Sequence, residues 1–262
     1  MQDIIITTVV IGVIGLIIGI ALVAAGKKFY VAVDEKAIAV RECLPGNNCG
    51  ACGYAGCDAV AAAIAAGDAP VNACPVCSAD AVAKIGGVMG VEAEAAQRKT
   101  AQVKCSGDCE HTSAKCNYVG IEDCRAAALA GLNTGSCTFG CLGYGSCVKA
   151  CTYDAIHVVN GVAKVDTSKC VGCGMCAKAC PKGLIEVVRA DRTFVVQCSN
   201  KDRGPAVKKV CSAGCLGCGA CVKQCEHDAI HVEGNLAYID YDKCVGCGKC
   251  AEKCPAKNIV RQ

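Results

Sequence analysis

One run of cysteines constrains this chain more than any other feature. It spans residues 170–181 with the spacing C-x2-C-x2-C-x3-C-P, and it returns at residues 244–255, 74 residues later. At that offset, nine cysteines of the first copy match nine of the second without a gap, which indicates a module duplicated in tandem. The matched sets are Cys124, Cys137, Cys141, Cys147, Cys151, Cys170, Cys173, Cys176 and Cys180, and Cys198, Cys211, Cys215, Cys221, Cys225, Cys244, Cys247, Cys250 and Cys254.

The spacing within the run indicates iron–sulfur chemistry. Three thiolates fall in one tight turn and the fourth leaves on the next, as in bacterial ferredoxins, where the fourth cysteine ligates the other cluster of a two-cluster unit. Zinc sites usually draw two well-separated CxxC pairs, and four cysteines within residues 170–180 fit that arrangement poorly. The sequence therefore favours [4Fe–4S] clusters over zinc.

Composition supports this interpretation and excludes one class of partner. The chain has 262 residues with 28 Cys, no Trp and 3 Phe, so cluster ligation would replace much of an aromatic core. So many cysteines normally indicate a small secreted disulfide scaffold, but here they come in metal-type runs. A net charge of +3 gives no reason to expect nucleic acid as a partner.

The N-terminal segment is predicted to be a membrane anchor. Residues 4–25 carry no charge, and at ~1.5 Å per residue such a helix reaches roughly 33 Å, enough to cross a hydrocarbon core. A signal peptide would need a positive region before the apolar run, whereas Lys27 and Lys28 follow it. The positive-inside rule then puts the rest of the chain in the cytoplasm, where thiols stay reduced. We expect a single-pass protein of the cytoplasmic membrane with its cluster domains on the cytoplasmic side.

A second cysteine motif follows the anchor. Its spacing is C-x2-C-x4-C-x16-C, and the segment 58–66 between its third and fourth cysteines is predicted to be a short Ala-rich helix that ends at Gly67. The glycines around the motif would let the backbone wrap a cluster and offer N–H groups to its sulfurs. The predicted ligands are Cys49, Cys52, Cys57 and Cys74.

The tandem modules are predicted to hold two clusters each. By the ferredoxin pairing, module one uses Cys137, Cys141, Cys147 and Cys180 for one cluster, and Cys151, Cys170, Cys173 and Cys176 for the other. Module two uses Cys215, Cys218, Cys221 and Cys254 for one, and Cys225, Cys244, Cys247 and Cys250 for the other. In module one Tyr144 occupies the place of the middle cysteine, and Cys137 is taken as its substitute. In module two Cys218 has the standard spacing, while the repeat alignment favours Cys211, and the choice stays open.

Several cysteines remain outside these sets. A further cluster held by Cys105, Cys109, Cys116 and Cys124 would bring the total from five to six, although Cys124 aligns with Cys198 and could belong to the repeat. The additional candidate ligands are therefore Cys105, Cys109, Cys116, Cys124, Cys198 and Cys211. Each module also contains a predicted hairpin, with Asn160-Gly161 at the turn of the first and Gly234-Asn235 at the turn of the second.

The order of anchor, C-x2-C-x4-C-x16-C motif and ferredoxin runs resembles the B subunit of the Rnf complex, in an elongated form with two modules. The resemblance implies an electron-transfer component of a membrane-bound, ion-translocating ferredoxin:NAD+ oxidoreductase (a translocase). Its expected partners are the other Rnf subunits, soluble ferredoxin and the membrane. Flavin and nicotinamide sites would lie in other subunits, consistent with the lack of a G-x-G-x-x-G or Walker A motif in this sequence.

Two other classes of protein share part of this pattern. A corrinoid iron–sulfur protein has the first cluster motif but also needs a large cobamide-binding barrel. In this chain the residues after the first motif already form the ferredoxin runs. A stand-alone membrane-anchored polyferredoxin that serves another reductase would carry the same motifs.

The predicted fold class is α+β with five segments. These are an anchor (1–28), a [4Fe–4S] domain (29–77), a linker with the extra cysteines (78–123), ferredoxin module one (124–190) and ferredoxin module two (191–262).

Overall fold

The computed structural model describes residues 2–28, 34–92, 97–131 and 135–262. Helix α1 (Gln2–Lys28) begins the chain. Among the described residues, no helix qualifies by length and hydropathy as a membrane span, so the predicted transmembrane anchor over residues 1–28 is not confirmed.

Three short helices form the N-terminal domain. Each begins or ends at the residue type that its sequence predicts: the Asp34 side chain accepts a hydrogen bond from the Lys36 N–H, Ser78 accepts one from the Ala81 N–H, and Gly67 ends the second helix with φ 83°. The predicted Ala-rich helix over 58–66 is confirmed. The helices are α2 (Glu35–Cys43), α3 (Cys57–Ala66) and α4 (Ala79–Met89), and they pack around Val40, Val60, Ile64 and Ile85.

Module one is built on two antiparallel strand pairs. Strands β2 (Ile156–Val159) and β3 (Val162–Val165) form the predicted hairpin, with Asn160 and Gly161 at φ 51° and 80° in its turn. The outer pair joins β1 (Lys99–Val103) to β4 (Ile185–Arg189), with Val103 opposite Ile185. The short helices α5 (Cys124–Leu129), α6 (Ser146–Lys149) and α7 (Met175–Ala179) complete the module.

Module two repeats this plan. Strands β6 (Ile230–Glu233) and β7 (Leu236–Ile239) form its hairpin, which confirms the prediction at Gly234-Asn235. The outer pair joins β5 (Phe194–Val196) to β8 (Ile259–Arg261), with Val196 opposite Ile259. Its helices are α8 (Gly204–Val210), α9 (Ala220–Gln224) and α10 (Lys249–Glu252).

The outer strand pairs extend the repeat beyond the cysteine alignment. Ile185 and Ile259 differ by the 74-residue offset, so their strand partners Val103 and Val196 are structurally equivalent. Strand β1 lies in the segment predicted as a linker, yet it pairs with β4 over its whole length. Module one therefore draws its outer strand from before residue 124.

Candidate metal centres

The first candidate site lies in the N-terminal domain. Cys57 and Cys74 are buried, and Cys52 packs against the same core. The Asn48 side chain accepts a 2.8 Å hydrogen bond from the Cys57 N–H, which fixes the loop at the start of α3. A hydrogen bond from the Cys77 thiol lowers the pKa of Cys74 to about 6, which favours its thiolate.

The second candidate site consists of the first three cysteines of the run at residues 170–180, together with Cys151. Cys170 and Cys176 are buried, and Cys151 packs against their core. The Ala101 N–H of β1 donates to Cys170 Sγ at 3.3 Å, and the Ala155 N–H donates to Cys151 Sγ at 3.5 Å. Burial is the largest cause of the raised pKa of Cys176, and the neighbouring thiols of Cys170, Cys173 and Cys151 raise it further. The structure thus groups Cys151, Cys170, Cys173 and Cys176, the set that the ferredoxin pairing predicts.

The third candidate site differs from the predicted set by one member. Burial is the largest cause of the raised pKa values of Cys141 and Cys147, and the nearby thiols of Cys124 and Cys180 raise both further. A 2.7 Å hydrogen bond from the Cys124 N–H to Ser146 Oγ holds Cys124 next to Cys147. The structure groups Cys124, Cys141, Cys147 and Cys180, and it places Cys137 elsewhere.

Tyr144 explains why Cys124 takes the place predicted for Cys137. It occupies the position of the missing middle cysteine, and its ring packs against Tyr118 with the ring centroids 5.3 Å apart. Both rings lie against the small core that contains Cys124 and Leu142. The tyrosine therefore fills space with an aromatic ring, while the thiol comes from the start of α5.

Module two contains two candidate sites of four cysteines each. One cavity is lined by Cys215, Cys218, Cys221 and Cys254, and it includes Cys218, the ligand with the standard spacing. The other is lined by Cys225, Cys244, Cys247 and Cys250. Cys218 and Cys247 are exposed, so both sites reach the surface of the protein.

A further group of four cysteines lies where the two modules meet. One cavity is lined by Cys105 and Cys137 from the first copy and by Cys198 and Cys211 from the second. Sequence reasoning named all four as ligands or candidate ligands but did not bring them together. The missing signal was the equivalence of Cys105 and Cys198, which becomes visible only once β1 and β5 are aligned through their partner strands.

The remaining candidates lie apart from these groups. Cys109 and Cys116 are exposed, and the Cys109 N–H donates to the Asn160 carbonyl at the hairpin turn. The four cysteines predicted for an extra site are thus distributed over separate places, with Cys105 at the junction and Cys124 in module one. Among the described residues, no three His, Cys, Asp or Glu side chains lie close enough together to hold a single metal ion.

The donor chemistry of these groups fits an iron–sulfur cluster. Each group offers four thiols and backbone N–H groups directed at sulfur, the two features by which proteins hold such clusters and tune them. Burial raises the pKa of Cys105, Cys176 and Cys221 to about 11 and that of Cys147 to about 12. Ligation would therefore release a proton from each of these thiols.

A hydrogen bond joins the N-terminal domain to module one. The Asn47 amide donates a 2.6 Å hydrogen bond to the Tyr153 hydroxyl. Cys49 and Cys74 on one side and Cys173 on the other all lie close enough to Tyr153 to raise its pKa, although burial is the larger cause. Tyr153 therefore marks the place where the first and second candidate sites approach each other.

Three family models match the chain. An Fe-S cluster family matches residues 44–76, a 4Fe-4S binding domain matches residues 163–186, and a 4Fe-4S dicluster domain matches residues 214–258. These matches cover the first candidate site, part of module one and most of module two.

Three curated relatives match most of the chain. The B subunit of the Na(+)-translocating ferredoxin:NAD(+) oxidoreductase complex of Acetobacterium woodii is 46% identical over 89% of this chain and 71% of its own length. The B subunit of the proton-translocating ferredoxin:NAD(+) oxidoreductase complex of Clostridium ljungdahlii is 40% identical over 92% and 85%. The B subunit of the ion-translocating oxidoreductase complex of Methanosarcina acetivorans is 38% identical over 94% of both chains.

Proposed function

Because this chain belongs to the family of B subunits of the ion-translocating ferredoxin:NAD(+) oxidoreductase (Rnf) complexes, we propose that it carries electrons from soluble ferredoxin to the other subunits of such a complex. The observation that carries the proposal is the grouping of its cysteines into sets of four, each with the donor chemistry of a [4Fe–4S] site. A bound cluster supplies one-electron transfer at each site.

We propose five ligand sets, which the grouping of the cysteines supports. They are Cys49, Cys52, Cys57 and Cys74 in the N-terminal domain; Cys124, Cys141, Cys147 and Cys180 with Cys151, Cys170, Cys173 and Cys176 in module one; and Cys215, Cys218, Cys221 and Cys254 with Cys225, Cys244, Cys247 and Cys250 in module two. In this proposal Cys124 replaces Cys137, and Cys218 is preferred to Cys211.

We propose module two as the docking site for ferredoxin. Cys247 is exposed, and the neighbouring Val245 keeps 63% of its surface exposed. An apolar side chain beside an exposed ligand offers a partner a surface to pack on. At the opposite end, the contact between Asn47 and Tyr153 supports the N-terminal domain as the place from which electrons leave module one.

The iron content and redox response of the isolated chain test this function. The full chain purified without oxygen should hold at least about 20 iron atoms, four for each of five clusters, and its broad visible absorbance should bleach when reduced ferredoxin is added. Zinc in place of iron, or absorbance that does not change on reduction, would contradict the proposal. A stand-alone polyferredoxin would give the same spectrum but would not co-purify with the other subunits of the complex.

Membrane attachment is a separate proposal, supported by the apolar side chains that α1 exposes. Leu16 is 65% exposed, Ile20 62% and Leu22 67%, and a patch of this kind marks an interaction surface. We expect that deleting residues 1–28 will release a brown, cluster-loaded protein from isolated membranes. If the shortened chain still sediments with membranes that lack the other subunits, α1 is not the point of attachment.

A further inference from the structure

The junction between the two modules has an internal symmetry. Val103 and Val196 are equivalent through their strand partners, so Cys105 and Cys198, each two residues further on, are also equivalent. Cys137 and Cys211 are equivalent through the 74-residue repeat. The cavity at the junction is therefore lined by two equivalent pairs of thiols, with one member of each pair from each copy.

Hydrogen bonds across the junction follow the same symmetry. Ser106 Oγ donates to the Gln197 carbonyl at 3.0 Å, and Ser199 Oγ donates to the Lys104 carbonyl at 2.9 Å. These two bonds relate equivalent atoms of the two copies. They hold the segments that carry Cys105 and Cys198 side by side.

The sulfurs themselves receive equivalent hydrogen bonds. The Cys141 N–H donates to Cys105 Sγ at 3.5 Å, and the Cys215 N–H donates to Cys198 Sγ at 3.3 Å. In addition, Asn200 Nδ2 donates to Cys137 Sγ at 3.5 Å. N–H groups directed at sulfur stabilise the thiolate form in which cysteine binds metal.

Gly107 keeps space open between two of the thiols. A Cβ at this position would lie 3.2 Å from Cys211 Sγ and 3.7 Å from Cys105 Sγ. The first distance is shorter than an ordinary van der Waals contact, so any side chain here would crowd the cavity. Gly107 is the equivalent of Asn200, and the two residues approach sulfurs of the opposite copy.

We propose that Cys105, Cys137, Cys198 and Cys211 hold one further [4Fe–4S] cluster, shared by the two ferredoxin modules. The inference rests on the proposed function, since it requires that the chain is loaded with such clusters. A cluster at this place would lie between those of module one and those of module two, and four bonds to it would tie the modules together. It also uses the cysteines that the five other sets leave at the junction.

Iron counting on full-length variants tests the proposal. The wild-type chain should hold about 24 iron atoms, and Cys105→Ala and Cys211→Ala should each hold fewer, from about 23 where the cluster keeps three irons to about 20 where all four are lost. The double variant should also hold about 20, since both cysteines serve the same cluster. Cys109→Ala, which removes an exposed thiol outside the group, should keep about 24.

Two results would overturn the shared cluster. One is a wild-type count of about 20 that neither single variant lowers. This result would contradict the shared cluster and leave the proposed function with five clusters intact. Zinc in place of iron would contradict both the shared cluster and the proposed function. The other is a double variant with about 16, because the two cysteines would then serve different clusters. The bleaching of the remaining visible absorbance on reduction shows whether each variant has folded.

Discussion

At the scale of single residues, glycines set how closely the backbone can approach the cysteine runs. Gly172 lies between Cys170 and Cys173 with φ 67°, and a Cβ on it would lie 2.7 Å from the Lys99 carbonyl oxygen. Gly183 has a similar φ of 61° but nothing within 4 Å of its Cβ position. The two glycines therefore share a left-handed backbone conformation and differ in the space around them.

We predict that Gly172→Ala destabilises the protein more than Gly183→Ala does. Both variants should lose about 1–2 kcal/mol because an L side chain disfavours positive φ, and Gly172→Ala should lose about 1–3 kcal/mol more because it pushes β1 away from the run. Anaerobic thermal unfolding of the loaded protein would measure this as a larger drop in Tm for Gly172→Ala. Equal drops in Tm would show that β1 does not limit the space at this position.

Individual ligands could be predicted from the sequence only where their spacing is standard. The standard spacing of the runs at residues 170–180 and 244–254 specifies which of their cysteines belong to the same site, so the grouping of these cysteines agrees with the ferredoxin pairing. Cys124 and Cys137 lie outside such runs, and spacing alone favoured Cys137 because it is nearer to Cys141. The structure places Cys124 in module one instead, because the Asp123 side chain caps α5 and Ser146 holds the first N–H of that helix beside Cys147.

At the scale of elements, the local signals predicted the hairpins and the long-range pairing did not follow from them. The turns at Asn160-Gly161 and Gly234-Asn235 specify β2–β3 and β6–β7 without help from distant residues. Strand β1 pairs with a partner that lies far along the chain, at β4. Its polar residues Thr100 and Gln102 are nevertheless buried, and Gln102 Nε2 donates to the Val196 carbonyl at 3.4 Å. The sequence predicted this segment as a linker, whereas the structure makes it a strand whose Gln102 is bonded to module two.

At the scale of the whole molecule, the candidate sites follow one another from module two, through the junction and module one, to the N-terminal domain. The junction of the two modules contains the group around Cys105 and Cys198. Tyr153 lies between the second site of module one and the first site of the chain. An electron from ferredoxin that enters at module two would therefore leave through the N-terminal domain, and a break at the last site should block the route without emptying the earlier ones.

The most direct measurement of this route is ferredoxin-driven NAD+ reduction by the whole complex with Cys52→Ala in this chain. We predict that NAD+ reduction is lost while ferredoxin still bleaches the absorbance of the two modules, because only the last site of the route is removed. Cys116→Ala, which removes an exposed thiol outside every group, should reduce NAD+ at the wild-type rate. A Cys52→Ala complex that reduces NAD+ as fast as the wild type would contradict the proposed route.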